Sequence, residues 1–539
     1  MADVAVKPMG GSVVSHDLAK QPPLAARVVF IALLVAGVGY GAAGLLGDIR
    51  GVGETLNFGV FALLGLALLI ALGFEFVNGF HDTANAVATV IYTRSMHPVI
   101  AVVWSGFFNF IGVVISTGAV AYGIVSLLPV ELILQVGSQA GYAMIFSLLL
   151  AAIIWNLGTW WMGIPNSSSH ALIGSIMGVG LANQLMATNG SATSGVDWSQ
   201  AGKVFSALLW SPLMGFFFSA ALLLLLKVMV RTPTLYQEPK ADQAPPWWIR
   251  GLLILTCTGV SFAHGGNDGQ KGMGLIMLIL IGAAPTAYAL NRTMPDSAMP
   301  AFVASAQSAQ TVFTAHANGA AQNDLSAARS TIGDALKTKA VNKPEVFAAL
   351  ATVSNDIAAQ VHQYGSLKLV PAAETPNLRN EMYLASGALG LLSKDKGVKL
   401  AKPEAATLKA YQGDLQNGTR FIPTWVKVAV AIALGLGTMV RWKRIVVTVG
   451  EKIGKTHLTY AQGAAAEMVA AVTIIGAEVY GLPVSTTRIL SSGVAGTMAA
   501  NGSGLQWSTI RNIASAWVLT LPAAMLLAGG LYFVLRNVF

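Results

Sequence analysis

The chain has 539 residues, of which 54% are hydrophobic and only 11% are charged. Soluble domains carry roughly 25% charged residues, so this composition excludes a soluble enzyme, a disordered protein and a coiled coil, and it predicts a polytopic membrane protein. The formal charge of +9 does not indicate a nucleic-acid partner, because the sequence shows no basic face with interleaved aromatic residues. The single cysteine, Cys257, excludes an internal disulfide framework and any multi-cysteine metal site.

Along the chain, a polar stretch of about 26 residues comes first, and we interpret it as a cytoplasmic tail rather than a signal peptide. Apolar segments long enough to cross a membrane follow, and a short polar linker and a long polar region interrupt them. The long polar region has amphipathic stretches near 300–330 and 344–363, which predict a helical soluble insert. The apolar segments lie at 27–47, 57–92, 98–127, 142–163, 165–187, 202–230, 249–290, 422–440, 458–480, 483–502 and 510–536.

Two polar motifs occur twice in the sequence. N-G-F-H-D-T-A-N-A at 78–86 is similar to H-G-G-N-D-G-Q-K-G at 264–272 when the two aspartates are aligned. Likewise, G-I-P-N-S-S-S-H at 163–170 is similar to G-L-P-V-S-T-T-R at 481–488. Two motifs that repeat in the same order indicate an internal duplication rather than chance similarity of glycine-rich segments.

The spacing of the motifs supports the duplication. Asp82 precedes Pro165 by 83 positions, whereas Asp268 precedes Pro483 by 215, and the difference of 132 is close to the length of the polar region at 291–421. Without that region, each half has about five apolar segments. An odd number of segments predicts an inverted repeat, as in many secondary transporters, with broken or re-entrant helices.

The duplication and the two polar regions divide the chain into six parts. They are a tail with an extra transmembrane helix (1–56), a first repeat (57–230), a cytoplasmic linker (231–248), the start of a second repeat (249–290), a soluble helical insert (291–421) and the rest of the second repeat (422–539). The predicted fold class is therefore an all-α polytopic membrane protein built on an inverted repeat.

Polar clusters surround the two aligned aspartates inside apolar segments, where ionisable groups are costly and usually functional. Glycines such as Gly79 and Gly265 beside them predict broken helices, whose free carbonyls, together with Asp and Asn oxygens, suit Na⁺ or a proton. The alternative is that these side chains only bond one helix to another. The clusters are Asn78, His81, Asp82 and Asn85 in the first copy and His264, Asn267, Asp268 and Lys271 in the second.

The second motif places a proline and three hydroxyl residues at the start of a helix in each copy. Proline is accepted in the first turn, and helix N-termini attract anions through free amides and the helix dipole. Two such ends that meet would suit a tetrahedral oxyanion such as phosphate, while ordinary capping is the alternative. The hydroxyl residues are Ser167, Ser168, Ser169, Ser485, Thr486 and Thr487, followed by His170 and Arg488.

A further acid, Glu467, lies in an apolar segment and fits a coupling carboxylate or a buried packing acid equally well. The sequence shows no P-loop, metalloprotease helix, nucleophile elbow or paired-cysteine motif. We therefore expect a protein that is not an enzyme, with no cofactor beyond a coupling ion.

At these residues the chain resembles the inorganic phosphate transporter family of the PiT type, and especially its low-affinity bacterial branch, which carries a large insert at the same place. The resemblance covers nearly all of the chain from about residue 57. The passages that carry it are 75–94, 155–160, 261–272 and 450–455 and the two Pro-x-Ser segments.

The resemblance implies secondary uptake of inorganic phosphate across the cytoplasmic (inner) membrane of a bacterium, by symport with H⁺ or Na⁺. Phosphate would travel alone or with a divalent metal ion. Carried onto this sequence, Asp82, Asn85, Asn267, Asp268 and Glu467 would serve the coupling cation or proton, and the six hydroxyl residues would hold phosphate. Arg488 stands where the family usually has histidine, and Lys271 departs from the first copy.

Several alternatives stay open at this point. Sulfate or another oxyanion is the rival substrate, and an ion channel is the rival class, with a membrane enzyme third. We expect the lipid bilayer and phosphate as partners and no nucleic acid. The sequence leaves the oligomeric state open, a homodimer included.

Overall fold

The computed structural model describes residues 23–54, 56–128, 139–186, 195–239, 244–395, 397–398, 400–440 and 442–538, apart from the side chains of residues 82–85, 139, 199 and 444. These residues form 19 α-helices in the described part, which confirms the predicted all-α class. The helices are α1 Leu24–Gly51, α2 Phe58–Tyr92, α3 Pro98–Ile115, α4 Ala119–Val125, α5 Gln139–Trp161, α6 Ser168–Met186, α7 Trp198–Met229, α8 Trp247–Ala283, α9 Pro285–Tyr288, α10 Met299–His316, α11 Leu325–Thr338, α12 Pro344–Tyr364, α13 Thr375–Leu392, α14 Lys402–Thr419, α15 Thr424–Thr438, α16 Lys443–Glu451, α17 Tyr460–Val479, α18 Thr486–Asn501 and α19 Trp507–Leu535.

Among the described residues, seven helices are long and apolar enough to cross a membrane by themselves, namely α1, α2, α3, α5, α7, α17 and α19. Helix α15 meets α14 at a bend of 72° and adds a candidate span to these seven. Helix α8 has 37 residues, a length of about 55 Å at ~1.5 Å per residue. That exceeds the hydrocarbon thickness of about 30 Å. Helix α8 is not among the seven candidate spans, because its polar motif lowers its mean hydropathy.

Both Pro-x-Ser segments lie in breaks between helices. The first separates α5 from α6, and the second separates α17 from α18. The N-terminal two thirds of α6 and nearly all of α18 are buried within the protein. Helix α6 packs against α5 and α19, and α18 packs against α17 and α7, so each of these two helices contacts both halves of the chain. The division into two inverted repeats at the boundaries given above stays a prediction.

The two aspartate motifs lie inside continuous helices. Helix α2 runs without interruption through the first motif, and α8 runs through the second. The predicted breaks at the motif glycines are therefore wrong. A Cβ on Gly79 would lie 2.3 Å from the carbonyl oxygen of Leu434, and a Cβ on Gly265 would lie 2.1 Å from that of Asn109. These glycines let neighbouring backbones approach closely, as small residues do in membrane proteins.

The long polar insert forms the helices α10 to α14, which confirms that it is helical. These helices share a core of their own. Helices α10 to α14 enclose buried side chains such as Phe302, Phe313, Ile332, Leu350 and Tyr411. Because these residues follow helical spacing on otherwise polar helices, the insert folds around one apolar centre.

The extra N-terminal helix α1 and Glu54, which follows it, contact the residues on both sides of the insert. The carboxylate of Glu54 accepts hydrogen bonds from the backbone N–H groups of Thr286 and Ala287 at 3.2 and 3.1 Å, just before the insert begins. The carboxylate of Asp48 accepts a hydrogen bond from Tyr288 Oη at 2.9 Å, also before the insert. It accepts a second one from Trp425 Nε1 at 2.8 Å, just after the insert ends. This helix therefore fixes the orientation in which the insert joins the membrane helices.

Candidate functional site

Helices α2 and α8 cross where the two aspartate motifs lie. A Cβ on Gly272 of α8 would lie 2.5 Å from Oε1 of Glu75 in α2, and Asn78 Nδ2 donates to Glu75 Oε2 at 3.3 Å. His81 Nε2 lies 3.4 Å from Thr159 Oγ1 of α5. The structure thus brings the two motif helices into contact. The side chains of Asp82 and Asn85 lie outside the described residues.

The second motif forms a buried polar cluster on one face of α8. Lys271 Nζ lies 2.7 Å from Asp268 Oδ1. His264 Nε2 lies 3.7 Å from Asp268 Oδ2, and His264 Nδ1 lies 2.7 Å from Asn109 Oδ1 of α3. The spacings of four and three residues along α8 put these side chains next to one another. Both charged groups are completely shielded from solvent, where a charged side chain needs a partner of opposite charge.

Side chains of α8 also satisfy the irregular backbone of the second Pro-x-Ser segment. Asn267 Nδ2 donates to the carbonyl oxygen of Leu482 at 3.2 Å, and the N–H of Val484 donates to Asn267 Oδ1 at 3.3 Å. Lys271 Nζ donates to the carbonyl oxygen of Val484 at 3.1 Å. Backbone groups outside helices need such partners in a membrane, so the motif on α8 shapes the break before α18.

The two Pro-x-Ser segments meet at the same point. Ser169 Oγ of the first segment donates to the carbonyl oxygen of Val484 in the second at 2.9 Å, and Lys271 Nζ donates to Ser169 Oγ. One ammonium group therefore contacts the aspartate motif and both hydroxyl segments. The two hydroxyl segments are therefore in direct contact.

Two of the six hydroxyl residues cap their helices. Ser167 Oγ accepts a hydrogen bond from the N–H of His170 at 3.2 Å, and Ser485 Oγ accepts one from the N–H of Arg488 at 3.3 Å. The geometry is the same in both copies and is typical of an N-cap. The capping alternative therefore applies to these two serines, and Ser167 Oγ also lies 2.7 Å from His170 Nδ1.

Other donors near the second helix start are buried without partners. Thr486 Oγ1 and Arg488 Nε have no hydrogen-bond partner in the described structure, although both residues are buried. The Arg488 guanidinium lies over the Trp517 ring at 5.3 Å and donates through Nη2 to the carbonyl oxygen of Trp517 at 2.6 Å. A buried donor without a hydrogen-bond partner destabilises the protein by about 1–3 kcal/mol. An anionic ligand that accepted a hydrogen bond from it would remove this cost. Ser168 at the start of α6 and Thr487 in the first turn of α18 are buried as well.

Glu467 does not join this cluster. It is buried in α17, and its Oε2 accepts a hydrogen bond from Thr256 Oγ1 of α8 at 2.6 Å. Thr256 precedes Asp268 by 12 residues, which is about 18 Å along a helix. Glu467 is therefore distant from the ammonium group of Lys271.

Sequence reasoning missed several residues that complete the cluster. Asn109 partners His264, and Gln270 Nε2 donates to Glu478 Oε1 of α17 at 2.9 Å. Gln270 Oε1 accepts from the N–H of Val120 in α4 at 2.8 Å. Asn109 and Glu478 are polar residues inside apolar segments, which is the signal that singled out the two motifs. The same rule applied to every segment would have found them.

Comparison with known proteins decides the family. Residues 78–528 match the model of the phosphate transporter family. The chain belongs to that family. It is 43% identical over 502 residues to the low-affinity inorganic phosphate transporter PitB of Escherichia coli (strain K12), with 89% of this chain and 98% of that protein covered. It is 42% identical to PitA of the same organism, with the same coverage.

More distant relatives share the description. The low-affinity inorganic phosphate transporter of Buchnera aphidicola subsp. Acyrthosiphon pisum is 40% identical, with 88% of this chain and 96% of that protein covered. Among solved structures, that of a sodium-dependent phosphate transporter covers 89% of this chain and 100% of its own, with a TM-score of 0.49 and 20% identity. Family membership, with the apolar helices, makes the chain a multi-pass membrane transporter rather than an enzyme.

Proposed function

We propose that this protein takes up inorganic phosphate across the bacterial cytoplasmic membrane by secondary active symport with a proton or Na⁺. The observation that carries the proposal is the position of Lys271, whose ammonium group joins the aspartate motif to both hydroxyl segments. A coupled carrier needs the ion site and the substrate site to share contacts, since each must change the affinity of the other.

The proposed phosphate site lies between the two helix starts. Helix N-termini and hydroxyl donors favour an oxyanion, and Lys271 and Arg488 add positive charge around His170. Thr486 and Arg488 hold buried donors that await a partner. The remaining hydroxyl residues, Ser167, Ser168, Ser169, Ser485 and Thr487, line the same two segments.

The proposed coupling groups are the acids and amides of the two motif helices. Asp82 and Asn85 serve in α2, and Asn267 and Asp268 serve in α8, with Asn78, His81, His264 and Lys271 in support. Glu467 of α17 contacts Thr256, which lies about three helical turns before Asp268 on α8. We propose it as an acid on the path of the coupling ion rather than at the phosphate site.

The decisive experiment is uptake of labelled phosphate by the full-length chain in proteoliposomes under an imposed proton gradient or an imposed Na⁺ gradient. We expect concentrative uptake with one of the two and competition by excess phosphate but not by sulfate. Omitting or adding Mg²⁺ separates uptake of phosphate alone from uptake with a metal ion. Failure to respond to either gradient would overturn symport with those ions, and inhibition by sulfate would favour the rival substrate.

A matched pair of variants on α18 tests the phosphate site in the same vesicles. Thr486→Val removes an unpaired buried hydroxyl and keeps the shape of the side chain, so we expect the KM for phosphate to rise by about tenfold, since a hydrogen bond to a charged group contributes about 1.5–3 kcal/mol. Thr497→Val removes a hydroxyl that bonds only to the carbonyl oxygen of Val494. It should leave the KM within about twofold of the wild-type value. Equal effects of the two substitutions would contradict the proposed site.

A further inference from the structure

The ammonium group of Lys271 is surrounded by oxygen atoms from three separate parts of the chain. They are Oδ1 of Asp268 on its own helix, Oγ of Ser169 in the first Pro-x-Ser segment and the carbonyl oxygen of Val484 in the second. An ammonium has three N–H donors and no acceptor. One ion pair and two hydrogen bonds therefore hold the ammonium group, and the side chain is fully buried.

A carboxylate, a hydroxyl and a carbonyl freed by a break between helices are also the ligands that hold small cations in transporters with interrupted helices. The oxygen cage around Lys271 has the chemistry of a monovalent-cation site, with the cation supplied on a four-carbon stem. A lysine ammonium is a compact point charge of the same sign.

We infer that Lys271 is a tethered cation that permanently fills the ion site of the second motif, so that this site takes no mobile coupling ion. The inference rests on the proposed symport. The ion that drives uptake would then bind in the first motif, where Asn85 occupies the position aligned with Lys271. Asp268 and Asn267 then take part in coupling by holding the tethered cation and the break before α18.

The internal alignment gives an independent reason for this assignment. Asp82 and Asp268 are equivalent, and each is followed three residues later by Asn85 or Lys271. The neutral amide of Asn85 supplies no positive charge next to the aspartate of the first copy, whereas Lys271 supplies one in the second copy.

The test is chemical replacement of the removed ammonium. Lys271→Ala deletes the atoms that correspond to propylammonium and leaves the oxygen cage open. Lys271→Met removes the charge but keeps most of the volume, so it serves as the matched control. Uptake of phosphate is driven by the gradient that drives the wild type. Propylammonium is present at equal concentration on both sides, or Na⁺ is if a proton gradient is the driving force, and choline replaces the added cation at constant ionic strength.

We expect both variants to lose at least about tenfold of the uptake rate in choline, because each removes the ammonium that neutralises Asp268. Na⁺ or propylammonium should restore Lys271→Ala by several-fold and leave Lys271→Met unchanged. The melting temperature of the purified Lys271→Ala protein should rise with either cation and saturate, as ligand binding to the folded state requires. The wild-type melting temperature should not respond.

Three results would overturn the inference. They are wild-type uptake by Lys271→Ala in choline, equal restoration of both variants, or no response of Lys271→Ala in either uptake or melting temperature. The melting-temperature measurement needs no phosphate. If the wild type itself takes up no phosphate, the proposed symport fails, while a cation-dependent melting temperature that only Lys271→Ala shows would still support the tethered cation.

Discussion

Helix α2, which carries the first aspartate motif, and helix α8, which carries the second, pack alike but carry different charges. In both helices the aligned glycine lies against the backbone of a neighbour, Leu434 for Gly79 and Asn109 for Gly265. In α2 the acid Glu75 lies beside the neutral amide of Asn78. In α8, by contrast, the ammonium of Lys271 lies 2.7 Å from Asp268. The duplicated frame is thus kept by packing, while the ionisable residues diverge.

The hydroxyl segments show the same contrast. Ser167 and Ser485 cap their helices with the same hydrogen bond to the third residue along. That third residue is His170 in one copy and Arg488 in the other, and the Arg488 guanidinium lies over the Trp517 ring. The cap is therefore the same in both copies, while the side chain that follows it differs.

The largest effect is expected from neutralising the aspartates. Asp82→Asn and Asp268→Asn should each reduce concentrative phosphate uptake by at least about 100-fold, because each removes the only carboxylate of its motif. Uptake in proteoliposomes and the amount of protein in the membrane are the two measurements. Normal uptake by both variants would overturn the assignment of the motifs.

The two substitutions should differ in how they are repaired. Asp268→Asn leaves the Lys271 ammonium buried without its carboxylate, which destabilises the fold by about 3–5 kcal/mol. Adding Lys271→Met to Asp268→Asn should recover most of the lost melting temperature. The aligned change in the first copy, Asn85→Ala added to Asp82→Asn, should recover none. Equal recovery in the two copies would contradict the difference in charge between them.

The all-α class, the helical insert and the transporter family were predicted correctly from the sequence, because hydropathy, periodicity and the duplicated motifs are local signals. The helix breaks at Gly79 and Gly265 were predicted wrongly. A glycine inside an apolar helix permits either a break or a close contact, and the deciding atoms, the carbonyls of Leu434 and Asn109, lie far away in the chain.

Part of the site was equally out of reach of sequence reasoning. The spacing of three residues places Lys271 beside Asp268 on one helix face. Its other two acceptors, Ser169 and Val484, lie 102 and 213 positions away along the chain. Only the packing of α8 between both breaks brings them together. The placement of Thr486 and Arg488 as buried donors likewise depends on the fold.

A smaller effect is expected from making the second copy resemble the first at its helix start. Arg488→His should raise the KM for phosphate by about tenfold at pH 8, because histidine, with an unperturbed pKa near 6.5, is neutral at that pH. Arg488→Lys keeps the charge and should raise the KM by less. KM values of the two variants and the wild type at pH 8 test the prediction. A KM for Arg488→His equal to that of the wild type would contradict a role for the fixed charge in phosphate binding.

The smallest effect on transport is expected from the glycines, because they support both copies in the same way. Gly79→Ala and Gly265→Ala each push a methyl group into a neighbouring carbonyl, and we expect each to destabilise the fold by about 1–3 kcal/mol, with uptake per folded molecule reduced by less than about twofold. Gly65→Ala on α2 is the matched control, since a Cβ there meets nothing within 4 Å. It should be neutral or stabilising by up to about 1 kcal/mol. Melting temperatures of the three variants decide the matter, and a large loss for only one motif glycine would mean that the two helices do not share a packing frame.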